Sequence, residues 1–223
     1  MRLSIVMPVL DEAAEIDAAL AALAPLRAAG QQLIVVDGGS RDGTLARCGG
    51  RADVVLQAPR GRATQMNAGA AQAQGEVLLF LHADTRLPGD AAVAIEQAIA
   101  AGAPWGRFDV TISGRSRMFP LIGALMNRRS RSSGIATGDQ AIFVRRDLFE
   151  RIGGYADLPL MEDIDLCKRL RTCAAPACLR QRVSTSGRRW EERGVWRTML
   201  LMWRLRWRYW RGEPAEALAR AYR

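Results

Sequence analysis

Three acidic positions carry the chemistry this sequence can offer. Asp84 follows an unbroken apolar run, residues 77–81, within the segment LLFLHADTR, residues 78–86. Such a run reads as a strand buried on both faces that delivers His82, Ala83, Asp84 and Thr85 at its carboxyl end, where open α/β sheets bind ligands. A carboxylate there is fixed in position with little competing solvent, which suits holding a divalent cation against a diphosphate; it equally suits a cap on the turn before Pro88. Asp37 ends a second apolar segment and opens DGGSRDGT, residues 37–44. Its glycines permit positive φ and close backbone approach, while Asp37, Ser40, Asp42 and Thr44 supply acceptors and caps, so the loop is either a nucleotide pocket or a tight turn. Glu162, Asp163 and Asp165 gather at the start of LMEDIDLCKRLR, residues 160–171, around Ile164. Helix dipoles favour acids in a first turn, so capping alone explains them as far as the local pattern reaches.

The elements that must position these groups alternate with short connections. Residues 4–10 read as a strand, with a proline near its end, leading to an alanine-rich helix that reaches residue 29 and closes at Gly30. Strands follow at 32–36, 53–57 and 76–83, with helices at 62–72 and 90–101, and Arg60 and Arg62 are placed to face phosphate. This alternation predicts a doubly wound, mostly parallel sheet. Beyond residue 103 the pattern loosens. Phe108, Val110 and Ile112 share one face of a half-buried strand over 105–112; MFPLIGALMNRRSRSS reads as an apolar helical turn running into a basic loop. GDQAIFV, residues 138–144, reads as a strand, and RRDLFERIGGY as a short helix stopped by Gly153 and Gly154.

Composition bounds the functions. The chain has 223 residues, 49% of them hydrophobic, a net charge of +9 and a sequence pI near 10.5. One substantial core is within reach, and the charge favours anionic partners. No apolar run approaches the roughly 20 residues that span a bilayer, and Asp11 and Glu12 stand where a signal peptide needs small residues, which predicts a cytoplasmic protein. Four cysteines without a CxxC pair and a single histidine, His82, argue against structural zinc or a disulfide framework.

VMPVLDE, VVDGGSRDGT, GEVLLFLHADT, GDQAIFVRRDLFERIGGY and MEDIDLCKRL, in this order and at these separations, resemble the family 2 inverting glycosyltransferases of the GT-A fold. The resemblance covers most of residues 3–171, and the short length, the GDQ and the basic tail narrow it to a bacterial subgroup associated with radical-SAM and selenium-related genes. It implies a GT-A domain over residues 1–185, with a nucleotide-sugar half at 1–102, an acceptor half at 103–185, and a helical tail at 186–223. By the same resemblance, Pro8, Val9 and Glu12 line the nucleoside pocket, Asp37 with Gly38 meets the uracil of a UDP-sugar, and Arg62 and Asn67 lie near ribose and phosphates. His82, Ala83 and Asp84 align with the family's DxD, whose last aspartate coordinates the metal on the diphosphate. Histidine at the first position departs from that pattern; its softer nitrogen suits Mn²⁺ better than Mg²⁺. Met161, Glu162 and Asp163 align with the catalytic ED motif, making Asp163 the general base and Glu162 an orienting group. Gly138, Asp139 and Gln140 line the acceptor side.

SGRRWEERG, residues 186–194, resembles the QxxRW motif of related polymer synthases, with Arg189 to neutralise the leaving diphosphate and Trp190 to stack on a sugar; a basic solvated turn is the plainer reading. Beyond it, helical spacing sets Trp196, Trp203, Trp207 and Trp210 on one stripe beside Arg197, Arg204, Arg208 and Arg211. Such a stripe packs against a core or lies on anionic lipid. The expected partners are therefore a nucleotide-sugar donor, an acceptor that is free or lipid-linked, and an anionic membrane touched peripherally, with no nucleic acid. A nucleotidyltransferase would need a glycine-rich opening that residues 4–12 lack, and a simple anionic-surface module leaves Asp37, Asp84 and Asp163 without a task.

Overall fold

The computed structural model describes residues 1–222. Short runs rich in Val, Ile and Leu form the centre of the sheet: β1 (Leu3–Val9), β2 (Gln32–Asp37) and β4 (Val77–Phe80) are buried along their whole lengths. β3 (Val54–Gln57) lies outside β2 with alternating exposure. These four are parallel. Pro8 is tolerated within β1 because Val6 gives its carbonyl to Leu81 on the β4 side, and Pro8, two residues on, faces that same side beyond the last β1–β4 pair. Its missing N–H falls where the ladder has opened toward the site.

Helices α1 (Ile16–Ala28), α2 (Thr44–Cys48), α3 (Arg62–Ala70) and α4 (Ala91–Ala100) connect or flank these strands. α1 and α4 bury Ile16, Leu20, Leu23 and Ile95 against one face of the sheet, with Ile5, Leu33 and Leu79. α3, α6 (Arg146–Arg151) and α7 (Glu162–Cys173) cover the other face, where Met66, Phe149 and Leu170 meet Val36 and Phe80. Each fully buried Leu, Ile or Val contributes about 1.5–3 kcal/mol, so two covered faces suffice to hold the strand ends in place. All four cysteines are free.

The second half extends the same sheet with β5 (Thr85–Arg86), β6 (Trp105–Ser113), β7 (Ile142–Arg145) and β8 (Ala177–Ser186), in the order β3-β2-β1-β4-β7-β6-β8-β5. β7 runs antiparallel to both β4 and β6, β8 parallel to β6, and β5 antiparallel to β8. Nothing in the periodicity announces β8, an arginine-rich strand made by its long pairing with β6.

Three expectations need correction here. β6 is buried on both faces from Trp105 to Val110, not half-buried, because α5 (Phe119–Ser133) packs over it. The supposed basic loop is the second half of α5. Asn127 exchanges hydrogen bonds with the Val110 backbone at 2.8 and 3.0 Å, and Arg131 pairs at 2.6 Å with Asp109, which also holds the buried Arg107. Those tertiary partners convert a polar run into a helix. Finally, residues 138–140 form a 3-10 turn rather than the start of β7, ended by Ala141 in the left-handed region at φ +48°.

The tail folds as α8 (Arg188–Arg193), α9 (Val195–Trp210) and α10 (Ala215–Tyr222). Leu205 and Leu218 bury themselves against Leu160, Met161 and Ile164, so these helices roof the start of α7. Arg188–Arg193 is helical, as expected of the tail. No helix among the described residues is long and apolar enough to cross a membrane.

Candidate active site

A cavity of about 1030 Å³ opens between the carboxyl ends of the strands, α5 and the roof formed by α9. Asp163 lines it, at the second position of α7. One carboxylate oxygen accepts the Gly138 N–H at 2.7 Å and the other accepts the Ile164 N–H at 2.8 Å. Burial pushes the Asp163 carboxyl up to about 6, and the neighbouring charge of Glu162 pushes the same way, while the two N–H groups hold the rise in check. Met161, which starts the helix, adopts φ +70° without being glycine. Strain of that kind persists where the surroundings over-determine a position, and here it aims both acids of the ED pair into the cavity.

Gly138 and Asp139 face Asp163 across the same space. A Cβ on Gly138 would stand 2.4 Å from the His82 ring, so only glycine lets that ring lie flat against the turn. His82 Nδ1 is 3.7 Å from Asp139. Burial would raise the Asp139 carboxyl, but His82, Arg62 and Arg189 outweigh it and hold it below the ordinary carboxylate range. Arg62 sits in the cavity wall, where burial would lower it and the carboxylates of Glu162, Asp139 and Asp163 together hold it raised.

Asp84 also lines the cavity, and among the described residues its side chain is hydrogen-bonded by the Thr85 hydroxyl alone, at 3.3 Å. Arg189 and Trp190 reach it from α8, and Arg189 binds Glu12 at 2.8 Å, tying the tail to the loop after β1. Burial raises the Glu12 carboxyl, Arg189 opposes the shift and Asp84 adds to it. The second Glu12 oxygen is buried without a partner.

Other expected site residues lie elsewhere. Asp37 is fully buried, and its oxygens accept the Gly39 N–H at 2.9 Å, the Ser40 N–H at 3.0 Å and the Ser40 hydroxyl. Its own loop thus supplies three donors to this carboxylate. Gly38 closes on Val9, whose carbonyl accepts its N–H at 2.9 Å, and a Cβ there would meet Gln65 at 2.9 Å. Asn67 is committed to the Tyr155 backbone, donating at 2.8 Å and accepting at 2.9 Å, and does not line the cavity. Gln140 points into the core, bonded to Phe108 O at 3.3 Å and Ser130 Oγ at 3.0 Å, rather than toward an acceptor. Pro8 is buried within β1, and the side chains of Val9 and Ala83 belong to the core.

The sequence profile of glycosyl transferase family 2 matches residues 4–153, about two thirds of the chain. The chain belongs to glycosyl transferase family 2. Among curated relatives, PGL/p-HBAD biosynthesis glycosyltransferases of Mycobacterium tuberculosis and Mycobacterium bovis are 34% identical over 161 residues, 68% of this chain. The matched segment covers 62% of those relatives' own length. The fold is similar to that of S. aureus TarS in complex with UDP-GlcNAc, at a TM-score of 0.65 and 17% identity, covering 83% of this chain and 58% of that one. It is also similar to the mannosyltransferase PcManGT from Pyrobaculum calidifontis in complex with GDP-Man and Mn²⁺, at a TM-score of 0.61 and 19% identity, covering 82% and 56%. The architecture of this family 2 chain is therefore GT-A.

Metals of the Mn²⁺ or Mg²⁺ kind take one or two carboxylates and fill the remaining positions with water and substrate phosphates. No group of three His, Cys, Asp or Glu side chains that could hold a metal ion occurs among the described residues. The Asp84 carboxylate, with the unpaired Glu12 oxygen in its field, fits a cation that arrives with a diphosphate. The His82 ring lies instead against Gly138 and Asp139.

Local pattern missed Arg129 and Arg206, which line the cavity with guanidinium atoms buried and without partners. A signal for Arg129 existed: continuing the helical spacing from Ile122 and Met126 puts it on the cavity face of α5. The tryptophans of α9 do not pack on the core. Trp196, Trp203, Trp207 and Trp210 are 57–76% exposed, and with the exposed Leu200 they occupy about 80° of helical arc, opposite the buried Leu205.

Proposed function

We propose that this protein is an inverting glycosyltransferase that moves a sugar from a nucleotide diphosphate donor to an acceptor hydroxyl, with Asp163 as general base. The observation that carries the reading is the Asp163 carboxylate, lining the cavity with a pKa of about 6 and one backbone N–H on each oxygen. Inversion is a single in-line displacement, so one base on the acceptor side suffices. An aspartate at about 6 is ionised at neutral pH and more basic than an ordinary carboxylate. Each oxygen keeps a lone pair for the acceptor proton. Glu162, buried beside it, raises that basicity and orients the helix start.

On the donor side, Asp84 would hold a Mn²⁺ or Mg²⁺ ion, which when bound neutralises the diphosphate. Arg189, anchored by Glu12, and Arg62 face the leaving group, and Trp190 offers a stacking surface for the sugar. A UDP-sugar is the donor that the family resemblance implies; Asp37 supports it only by shaping the loop. Residues 1–185 form the catalytic unit in this reading, and the tail from residue 186 covers its acceptor side.

A membrane-associated form of the same activity, acting on a lipid-linked acceptor, is favoured by the exposed tryptophans of α9. Arg197, Arg204 and Arg211 flank that face, while Arg208 is paired to Glu213.

Asp163→Asn is the deciding experiment. Turnover with the cognate nucleotide sugar is expected to fall by roughly 10² to 10⁴-fold with donor affinity and melting temperature retained. Glu162→Gln costs less. Normal turnover in Asp163→Asn removes the assignment.

A further inference from the structure

Among the described residues, five of the polar side-chain atoms buried without a protein partner belong to four residues that line the cavity: Nε and Nη2 of Arg129, Nε of Arg206, Oγ1 of Thr137 and Oγ1 of Thr198. The four come from α5, from the segment before the 3-10 turn and from α9. A buried donor without an acceptor costs about 1–3 kcal/mol, more when charged, and native interiors hold few of them. Their convergence on one space marks it as a place for oxygen atoms supplied from outside the chain.

Arg129 makes the point most sharply. Burial lowers its pKa, and Asp163 and Asp139 oppose that shift from a distance. Its neighbour on the same helix, Arg131, is paired with Asp109 at 2.6 Å, and the buried Arg107 is paired with that same aspartate. The fold therefore supplies an acid to the arginines that hold β6 and none to the one that faces the cavity. Among the described residues, Arg129, Arg197, Arg204 and Arg206 of the cavity wall have no carboxylate within ion-pairing distance. An excess of cation over acid selects an anion rather than a neutral sugar.

The rest of this half of the cavity is apolar. Ile122 and Met126 from α5 face Met199 and Met202 from α9, and the rim carries the exposed Leu125, Leu200 and Trp203. We propose that this half of the cavity is an acceptor subsite for an anionic amphiphile, whose carboxylate or phosphate sits on Arg129 and Arg206 and whose apolar part runs between α5 and α9 to the rim. Thr137 and Thr198 donate to the remaining oxygens, and the hydroxyl to be glycosylated is presented to Asp163. The proposal rests on the transferase reading for that last contact alone.

Calorimetry on the full chain tests it, using dodecyl phosphate below its micelle concentration, with dodecyl maltoside, inorganic phosphate and UDP as comparisons. Dodecyl phosphate is expected to bind the wild type about 10-fold or more tightly than it binds Arg129→Gln, consistent with losing a charge-assisted contact, and more tightly than dodecyl maltoside does. Arg129→Lys recovers part of the loss. Equal affinity for wild type and Arg129→Gln overturns the anion seat, and inorganic phosphate binding as tightly as dodecyl phosphate overturns the apolar channel. If Arg129→Gln does not fold, Arg206→Gln carries the same comparison. UDP binding unchanged by Arg129→Gln shows that the donor side is intact. Absence of UDP binding to the wild type counts against the transferase reading and leaves the dodecyl phosphate result to stand or fall by itself.

Discussion

At the donor edge, the loops after β1 and β2 close on each other. Ser40 accepts the Asp11 N–H at 2.9 Å, Thr44 the Glu12 N–H at 2.9 Å and Asp42 the Ala13 N–H at 2.8 Å, while Asp11 accepts the Arg41 N–H at 2.8 Å. At the acceptor end, Arg129, Arg206, Thr137 and Thr198 keep buried donors unpaired. The first end is closed by the chain's own hydrogen bonds save at one Glu12 oxygen; the second leaves its donors open, and in the proposed reading a ligand completes them. Substitutions at the donor edge should therefore register first as lost stability, and those at the acceptor end as lost binding or turnover.

The largest expected effect is at Asp163, where Asn lowers turnover by roughly 10² to 10⁴-fold, and the pH profile reads the same group. With Asp163 titrating at about 6, turnover should fall tenfold per unit below that pH and level off above it. A flat profile from pH 5 to 8 breaks the assignment. Stability runs the opposite way. The folded state holds this proton more tightly than an ordinary aspartate at 3.8, so the favourable contribution is complete below about pH 4 and is lost as pH rises through about 6. Asp163→Asn should consequently melt no lower than wild type at pH 8, whereas a group serving only as a cap would leave turnover intact.

A paired substitution separates the two ends directly. Asp37→Ala strands the Gly39 and Ser40 N–H groups and should cost about 1–3 kcal/mol, seen as a melting temperature lower by several degrees. Thr137→Val removes a buried hydroxyl that has no partner, so stability should hold or rise while dodecyl phosphate affinity declines. Equal losses of stability in both variants would erase the contrast.

The smallest effect is expected at the rim. Trp203→Ser with Trp207→Ser should leave the melting temperature nearly unchanged, since both side chains are exposed, yet reduce cosedimentation with anionic vesicles at low salt. If the wild type itself does not sediment with such vesicles, the lipid reading of α9 falls.

Asp84, Glu162 and Asp163 were legible because each sits where a periodic element begins or ends, and strand ends and helix starts are written in local pattern. Glycine and acid in GGSRDGT marked a tight loop correctly. What those residues do within the loop was not legible. Asp37 reads the same whether its oxygens face a base or the Gly39 and Ser40 amides, and only the close approach of the β1 and β2 loops decides for the amides. Asn67 and Gln140 look equally available in the sequence, yet the first is taken by Tyr155 and the second by Phe108 and Ser130.

The sequence by itself determined the alternation of strands and helices, the parallel half of the sheet and the acids at its edge, because apolar periodicity and end signals act within a few residues. Tertiary structure decided the rest. β8 exists by its pairing with β6, the end of α5 is helical by its bonds to Asp109 and Val110, and Asp163 gains its basicity from burial and from Glu162, held in check by an N–H from a turn 25 residues upstream. Hydrogen bonding and desolvation depend on which distant groups share a space, and no local pattern states that the chain leaves Arg129 without an acid while giving one to Arg131.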